Sequence, residues 1–123
     1  MSIRRCAAFV ALAAALAGCS LLPVGIAELN ARPTKHYEQP VSFKARVSRI
    51  QVLPGETLLE VADAREHRIF VRVAGTVDLH PDDWVKVKGI LVPESRVGGK
   101  IVYDVLQAED VSETGAPWFR NLF

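Results

Sequence analysis

Cysteine is nearly absent from this chain of 123 residues, and its two cysteines, Cys6 and Cys19, both fall near the amino terminus. The sequence after them therefore holds no thiol for a disulfide, a thiolate metal site or a cysteine nucleophile. A domain built from it must be stabilised by packing and hydrogen bonds alone. Its length is enough for one small hydrophobic core.

Histidine is also scarce, and His36, His67 and His80 have no second ligand at the short spacing typical of metal sites. The sequence contains neither the serine motif of a nucleophile elbow nor a glycine-rich phosphate loop. A nucleophile, a base and a group that orients the base cannot be assembled from it. We therefore predict that the protein is not an enzyme and holds no metal.

Neither sign of charge dominates the sequence. The formal net charge is +1, and residues 41–111 hold ten basic and eleven acidic side chains. Domains that bind nucleic acid usually carry a distinct basic excess. The charge balance therefore argues against a nucleic-acid partner.

Long hydrophobic runs are limited to one, from Cys6 to Ala17, which follows Arg4 and Arg5. This run is shorter than the roughly 20 apolar residues that a membrane-spanning helix needs. A positive start followed by a short apolar run is typical of a secretory signal peptide. We interpret residues 1–18 as such a signal.

The run ends in Leu16-Ala17-Gly18-Cys19, which resembles the lipobox of bacterial lipoproteins. The resemblance implies a diacylglyceryl group on the Cys19 thiol, cleavage before Cys19 and acylation of the new amino terminus. More than one acyl chain gives stable anchoring, since each buried CH₂ adds about 0.8 kcal/mol. We expect no cofactor other than this covalent lipid. An ordinary signal peptide or an uncleaved apolar amino terminus is the alternative interpretation.

Ser20 follows the residue that would carry the lipid. In lipoproteins an aspartate at this position tends to retain the protein at the inner membrane, and serine does not. The resemblance therefore implies a lipid anchor in the outer membrane, facing the periplasm, with the inner membrane as the alternative.

Residues 19–40 contain four helix- or strand-breaking residues, Pro23, Gly25, Pro33 and Pro40. Few apolar residues follow Leu29. This composition is typical of a linker, so we interpret the segment as a flexible tether with one helical turn over residues 26–30. Such a tether would hold the following domain a few nanometres from the membrane.

From Val41 onward apolar residues alternate with polar ones, which is typical of half-buried strands. We predict strands over residues 41–53, 57–62, 67–73, 84–92 and 100–106, the last continuing with a kink to 111. A phase slip at Ser48-Arg49 predicts a β-bulge, and Gly89 predicts a bend. Pro54-Gly55 predicts a turn, residues 78–83 a short helical turn, and residues 93–99 a loop. Five strands without a long helix predict an all-β fold, a small five-stranded barrel over residues 41–112.

These segments resemble the OB-fold. The resemblance rests on Phe43-Lys44-Ala45-Arg46-Val47, on residues 82–91 with their Trp84-Val85-Lys86-Val87 alternation, and on Gly99-Lys100-Ile101-Val102-Tyr103. It implies a small binding barrel, and OB-folds serve many unrelated functions. The helix that OB-folds usually carry between the third and fourth strands is nearly absent from this sequence.

A narrower resemblance is to the starvation-inducible outer-membrane lipoproteins of the Slp type. It rests on the lipobox, on Thr57-Leu58-Leu59-Glu60-Val61-Ala62 and on Gly115-Ala116-Pro117-Trp118-Phe119. This resemblance again implies the outer membrane and gives no mechanism.

Basic and aromatic residues on the outward phase of the strands form a candidate binding face. Lys44, Arg49, Arg68 and Phe70 share this phase, and the residues that we select are Arg46, Arg72, Trp84, Lys86 and Lys88. OB-folds bind single-stranded nucleic acid through charge and stacking of this kind. A solvated barrel exterior has the same pattern.

The tail over residues 113–123 holds a second candidate site, because Trp118, Phe119 and Phe123 are large apolar residues close to a chain end. They would either dock on the barrel or bind a partner. Two functions remain open. The first is a non-enzymatic binding or adaptor module of the bacterial envelope, whose partner is an envelope protein or glycan. The alternative is an OB-fold domain that binds a small ligand or an anionic oligomer such as single-stranded nucleic acid.

Overall fold

The computed structural model describes residues 22–115. Its elements are β1 (Leu22–Pro23), α1 (Ile26–Ala31), a 3-10 turn (Pro33–Lys35), β2 (Pro40–Leu53), β3 (Glu56–Ala62), β4 (Arg68–Ala74), β5 (Trp84–Val97) and β6 (Lys100–Thr114). Several sequence predictions lie outside the described residues: the signal over residues 1–18, Cys19, Ser20, Trp118, Phe119 and Phe123.

Five strands close into a ring in the order β2, β3, β4, β6, β5 and back to β2. All neighbours are antiparallel except β4 and β6, which are parallel. Strand β2 pairs with β5 through residues 40–46 and with β3 through residues 46–53. It can serve both partners because it bends at a bulge between Val47 and Arg49, where the phase slip predicted one. The prediction of an all-β, five-stranded barrel is confirmed.

The interior of the ring is filled by the apolar side chains that alternate along each strand. Val47, Leu59, Val71, Val87 and Leu106 are fully buried. Each such side chain contributes about 1.5–3 kcal/mol when it leaves water. Gly89 lies at a second bulge, between β5 and β6, and a Cβ atom there would overlap the Gln107 carbonyl oxygen. The predicted irregularity at Gly89 is therefore present as a bulge, and a larger residue there would force the backbone to shift.

Residues 22–39 pack on the barrel, so the prediction of a flexible tether over residues 19–40 is wrong for the described part of that segment. Strand β1 pairs in parallel with residues 41–42, and helix α1 places Ile26 and Leu29 in the core, each 1% exposed. The Asn30 side chain donates a hydrogen bond to the Arg68 carbonyl, so α1 covers the barrel end where β4 begins. The predicted helical turn over 26–30 is confirmed. The proline and glycine residues favoured a linker, although Ile26 and Leu29 have the spacing of one face of a helix.

Strand β5 continues through Val97, so the prediction of a loop over residues 93–99 is wrong. Only Gly98 and Gly99 form the turn, with φ of 57° and 82°, the left-handed values that a two-residue hairpin turn requires. Pro93 misled the prediction, because proline usually ends a strand. We call residues 93–104 the hairpin arm. The predicted helical turn over 78–83 is also wrong, since that stretch is irregular with a turn at residues 81–82.

Candidate functional site

The outer surface of β3 and β4, with the adjoining half of β2, carries four arginines and one aromatic ring. In register, Arg46 and Arg68 share one row of the sheet, and Arg72 lies in a third. The row between them holds Arg49, Glu60 and Phe70, and Glu60 Oε1 lies 3.7 Å from Arg68 Nη1. We call Arg46, Arg49, Arg68, Phe70 and Arg72 the arginine face. The alternation of β4 places Arg68, Phe70 and Arg72 outward, because Ile69 and Val71 fill the barrel interior.

Glu66 holds two of these arginines from the loop between β3 and β4. Its Oε2 lies 2.8 Å from Arg46 Nη2, and its Oε1 lies 3.0 Å from Arg68 Nη2. Arg46 also pairs with Asp82 at 3.2 Å. The Arg68 and Glu66 side chains are 45% and 55% exposed, and an ion pair between exposed side chains contributes at most about 1 kcal/mol. Another anion can therefore replace Glu66 at Arg68 at little cost, whereas Arg46 is only 16% exposed.

The loop that carries Glu66 is held by Asp63. The Asp63 carboxylate accepts hydrogen bonds from the backbone N–H groups of Arg65 and His67, each at 2.9 Å, and it also contacts His67 Nδ1 at 2.9 Å. Burial tends to raise the pKa of Asp63, but the His67 and Arg65 hydrogen bonds outweigh it and lower that pKa. Asp63 and His67 therefore set the shape of the loop. No group of three or more histidine or carboxylate side chains suited to a metal ion occurs within residues 22–115.

Glu56 joins the two turns that flank the arginine face. Its Oε1 accepts a hydrogen bond from Arg72 Nε at 2.5 Å, and its Oε2 accepts one from the Gly98 N–H at 3.3 Å. The tip of the hairpin arm thus lies against the β2–β3 turn, where Gly98 also faces Leu53. Arg72, and then Gly98, hold the pKa of Glu56 below its ordinary value.

A second cationic surface lies on the outer side of β2 and β5. Lys44 is directly opposite Lys86, and Lys88 is opposite Ser42 in the adjacent row. We call Lys44, Lys86 and Lys88 the lysine face. None of the three forms an ion pair with another residue of the described chain. Lys44 and Lys86 are like charges directly opposite each other, which is destabilising on a sheet, whereas Lys88 is opposite Asp110 of β6.

The structure divides the five residues that the sequence placed on one binding face. Lys86 and Lys88 belong to the lysine face, whereas Arg72 and Arg46 belong to the arginine face, with Arg46 at its edge on β2. The prediction that Trp84 is an outward aromatic platform is wrong, because its side chain is only 6% exposed. The preceding residues hydrogen-bond to Val47 and draw the start of β5 against β2. Sequence reasoning missed Glu56 and Glu66 as partners of the arginines, because neither lies in a motif.

A cleft of about 490 Å³ lies between the β4–β5 connector and the last part of β6. Its apolar wall includes Val77, Leu79 and Val111, and carboxylates such as Asp78 and Glu113 also line it. Its charge disfavours an anionic ligand, so the candidate anion sites are the two cationic faces. Within the described chain, every helix is too short or too polar to cross a bilayer.

Comparisons with known proteins identify the fold and nothing finer. Neither a family model nor a curated protein matches this chain. The aspartyl-tRNA synthetase of Entamoeba histolytica superposes with a TM-score of 0.59 at 16% identity, over 79% of this chain and 22% of the synthetase. A replication protein A heterotrimer bound to single-stranded DNA gives 0.58 at 17% identity, over 84% of this chain and 90% of that chain.

An OBody bound to hen egg-white lysozyme gives a TM-score of 0.52 at 14% identity, over 68% of this chain and 88% of that chain. Identities this low establish architecture alone. Together with the ring order of the strands, they show that this chain has an OB-fold.

Proposed function

We propose that this protein is a non-enzymatic OB-fold binding module that takes an anionic oligomer on its arginine face. The observation that carries the proposal is the placement of four arginines and Phe70 on one surface, formed by the second and third strands of the barrel, β3 and β4, and the part of β2 beside them. OB-folds bind oligonucleotides on this surface, between the loops that follow the first and fourth strands of the barrel. Here those two loops are the turns that Glu56 joins.

Carboxylate pairing of the arginines is compatible with this role. Arg68 is 45% exposed and Arg72 is 35% exposed, so a phosphate or an acidic sugar can reach both guanidinium groups. Arg49 is exposed and forms no ion pair within residues 22–115. Guanidinium groups bind phosphates and carboxylates through two parallel hydrogen bonds. We expect an affinity that is modest and falls steeply with salt, because the displaced carboxylates compete with the ligand.

The test is a titration of labelled single-stranded oligothymidylate against the full chain at several salt concentrations. A double variant, Arg49→Gln with Arg68→Gln, should lower affinity by about tenfold or more and flatten the salt dependence. Lys44→Gln with Lys86→Gln is the matched control on the other cationic surface and should retain most of the affinity. Loss of binding in the control alone would overturn the arginine face as the site.

A parallel titration with an acidic oligosaccharide separates the two sources of anionic oligomer. Tighter binding of the oligosaccharide at equal charge would assign the site to an envelope glycan, and tighter binding of the oligothymidylate would assign it to nucleic acid. No binding of either at low salt would refute the proposal.

A second candidate function is that of an adaptor for an envelope protein. The hairpin arm exposes Ile101 (47%) and Tyr103 (66%), and Val52 at the β2–β3 turn is 68% exposed. Exposed apolar side chains of this size favour a protein contact. Crosslinking in intact cells, followed by denaturing recovery and identification of the attached species, tests this function. Replacing Ile101 and Tyr103 with serine should abolish a protein adduct made through the arm.

The location that we propose follows from the lipobox: a lipid on Cys19 that anchors the module in the outer membrane, facing the periplasm. The mass of the amino-terminal peptide of the mature protein tests it directly. An unmodified Cys19, or cleavage at another residue, would exclude the anchor while leaving the binding proposal open.

A further inference from the structure

The barrel begins close to the proposed lipid anchor. Strand β1 starts at Leu22, three residues after Cys19, and its two residues are already paired with Val41 and Ser42 of β2. Three residues span at most about 11 Å even when fully extended. A lipid on Cys19 would therefore hold the barrel against the bilayer surface.

The lysine face lies beside this entry point. Ser42 is paired on one side with Pro23 of β1 and on the other with Lys88 of β5. Lys44 and Lys86 lie in the next outward row, about 7 Å further along the strands. Lys88 is therefore in the row of Pro23, and Lys44 and Lys86 are one outward row further from the anchor.

Two of the three lysines, Lys44 and Lys86, have no ion-pair partner among the described residues. Lys44 and Lys86 are exposed and directly opposite each other, and Lys88 faces Asp110 on β6. An anionic surface would relieve the repulsion between the first two. A lysine held near anionic lipid headgroups contributes about 1 kcal/mol, or roughly a fivefold gain in partitioning.

We propose that the lysine face contacts the anionic headgroups of the bilayer in which Cys19 is anchored, and thereby fixes the orientation of the barrel. The inference rests on the lipid anchor in the proposed function and adds which side faces the membrane. In the ring, the β2–β5 pair lies largely across the barrel from the β3–β4 pair. Arg68, Phe70 and Arg72 on β4 are then turned away from the membrane and stay open to a ligand, whereas Arg46 lies one outward row from Lys44.

The test uses full-length lipidated protein in vesicles with or without phosphatidylglycerol. The mature chain has no cysteine other than Cys19, so one cysteine can be introduced and spin-labelled. Ser112→Cys lies beside Lys86 in the β5–β6 register, and Gln51→Cys lies beside Leu58 on the β3 side. In anionic vesicles the label at 112 should be protected from a water-soluble relaxing agent several-fold more than the label at 51.

Replacing Lys44, Lys86 and Lys88 with glutamine should remove that difference. Replacing Arg96 and Lys100 on the hairpin arm with glutamine is the matched control and should preserve it. The mass of the amino-terminal peptide is measured first, so that an absent anchor is recognised separately. A lipidated protein whose two labels are equally accessible in anionic vesicles would refute the orientation alone.

Discussion

The two cationic faces of this barrel differ in how their charge is balanced. On the arginine face, Glu66 and Glu56 lie within 3.0 Å of guanidinium nitrogens. On the lysine face, two ammonium groups are opposite each other with no carboxylate paired to either among the described residues. Paired arginines are oriented before a ligand arrives, whereas unpaired lysines supply a diffuse field. The first arrangement suits a shaped ligand and the second suits a charged surface.

Strand β5, which carries Lys86 and Lys88, approaches β6 closely at Gly89, and breaking that approach should have the largest effect. Gly89→Ala places a Cβ atom against the Gln107 backbone, and we expect it to lower the free energy of unfolding by about 1–3 kcal/mol. Urea denaturation measures this change. Gly25→Ala is the control, because a Cβ atom there meets nothing within 4 Å, and a comparable loss in the control would contradict the explanation.

Glu66 pairs with two arginines of the arginine face. Removing the charge of Glu66 should therefore increase the difference in anion affinity between the arginine face and the lysine face. Glu66→Gln frees Arg46 and Arg68 from a competing carboxylate. We expect about fivefold tighter binding of an anionic oligomer, which corresponds to about 1 kcal/mol. Titration at fixed salt measures this. Glu94→Gln, on the hairpin arm, removes the same charge elsewhere and should have a much smaller effect; equal gains would mean that only net charge matters.

Reversing one charge on the lysine face should stabilise the protein slightly. Lys44→Glu converts the pair with Lys86 from like to opposite charges, and cross-strand pairs of this kind contribute about 0.2–1 kcal/mol. Thermal unfolding at low salt should show a higher Tm, and the gain should shrink at high salt. Lys35→Glu is the control outside the face. A fall in Tm for Lys44→Glu would show that the two lysines do not repel each other.

The Glu56 contacts with Arg72 and Gly98, which connect the two turns, should weaken in acid. The pKa of Glu56 is lower in the folded protein than its ordinary value of 4.5, so its pairing with Arg72 stabilises the fold above that value. This contribution is lost as the pH falls through the folded pKa of Glu56. A Tm profile between pH 6 and pH 3 should therefore fall more steeply for the natural protein than for Glu56→Gln. Parallel Tm profiles would show that the Glu56 carboxylate does not stabilise the fold.

The strands could be predicted from the sequence, because each has a repeating pattern of apolar and polar residues. The features that depend on a single contact between residues far apart in sequence could not. Period-two alternation identified the strands, and one phase slip located the bulge after Val47. The sequence around Ile26 and Leu29 does not mark them as core residues. They are buried only because the barrel end packs against them. Glu56 and Glu66 look like solvated carboxylates until the ring brings Arg72, Arg46 and Arg68 to them. Ion-pair partners far apart in sequence leave no local pattern.

One strand pairing in the ring is much shorter than the others. Strands β4 and β6 are registered through only three residue pairs, whereas β5 and β6 are registered through thirteen. Opening the barrel at β4–β6 breaks the fewest hydrogen bonds, and the cleft with Val77 and Val111 lies at the same place. Amide hydrogen exchange should therefore be fastest for the β4–β6 bonds and slowest along β2 and β5. We therefore expect the barrel to open transiently at the three β4–β6 pairs, the last of which joins Arg72 to Gln107, while β2 stays paired with both of its neighbours.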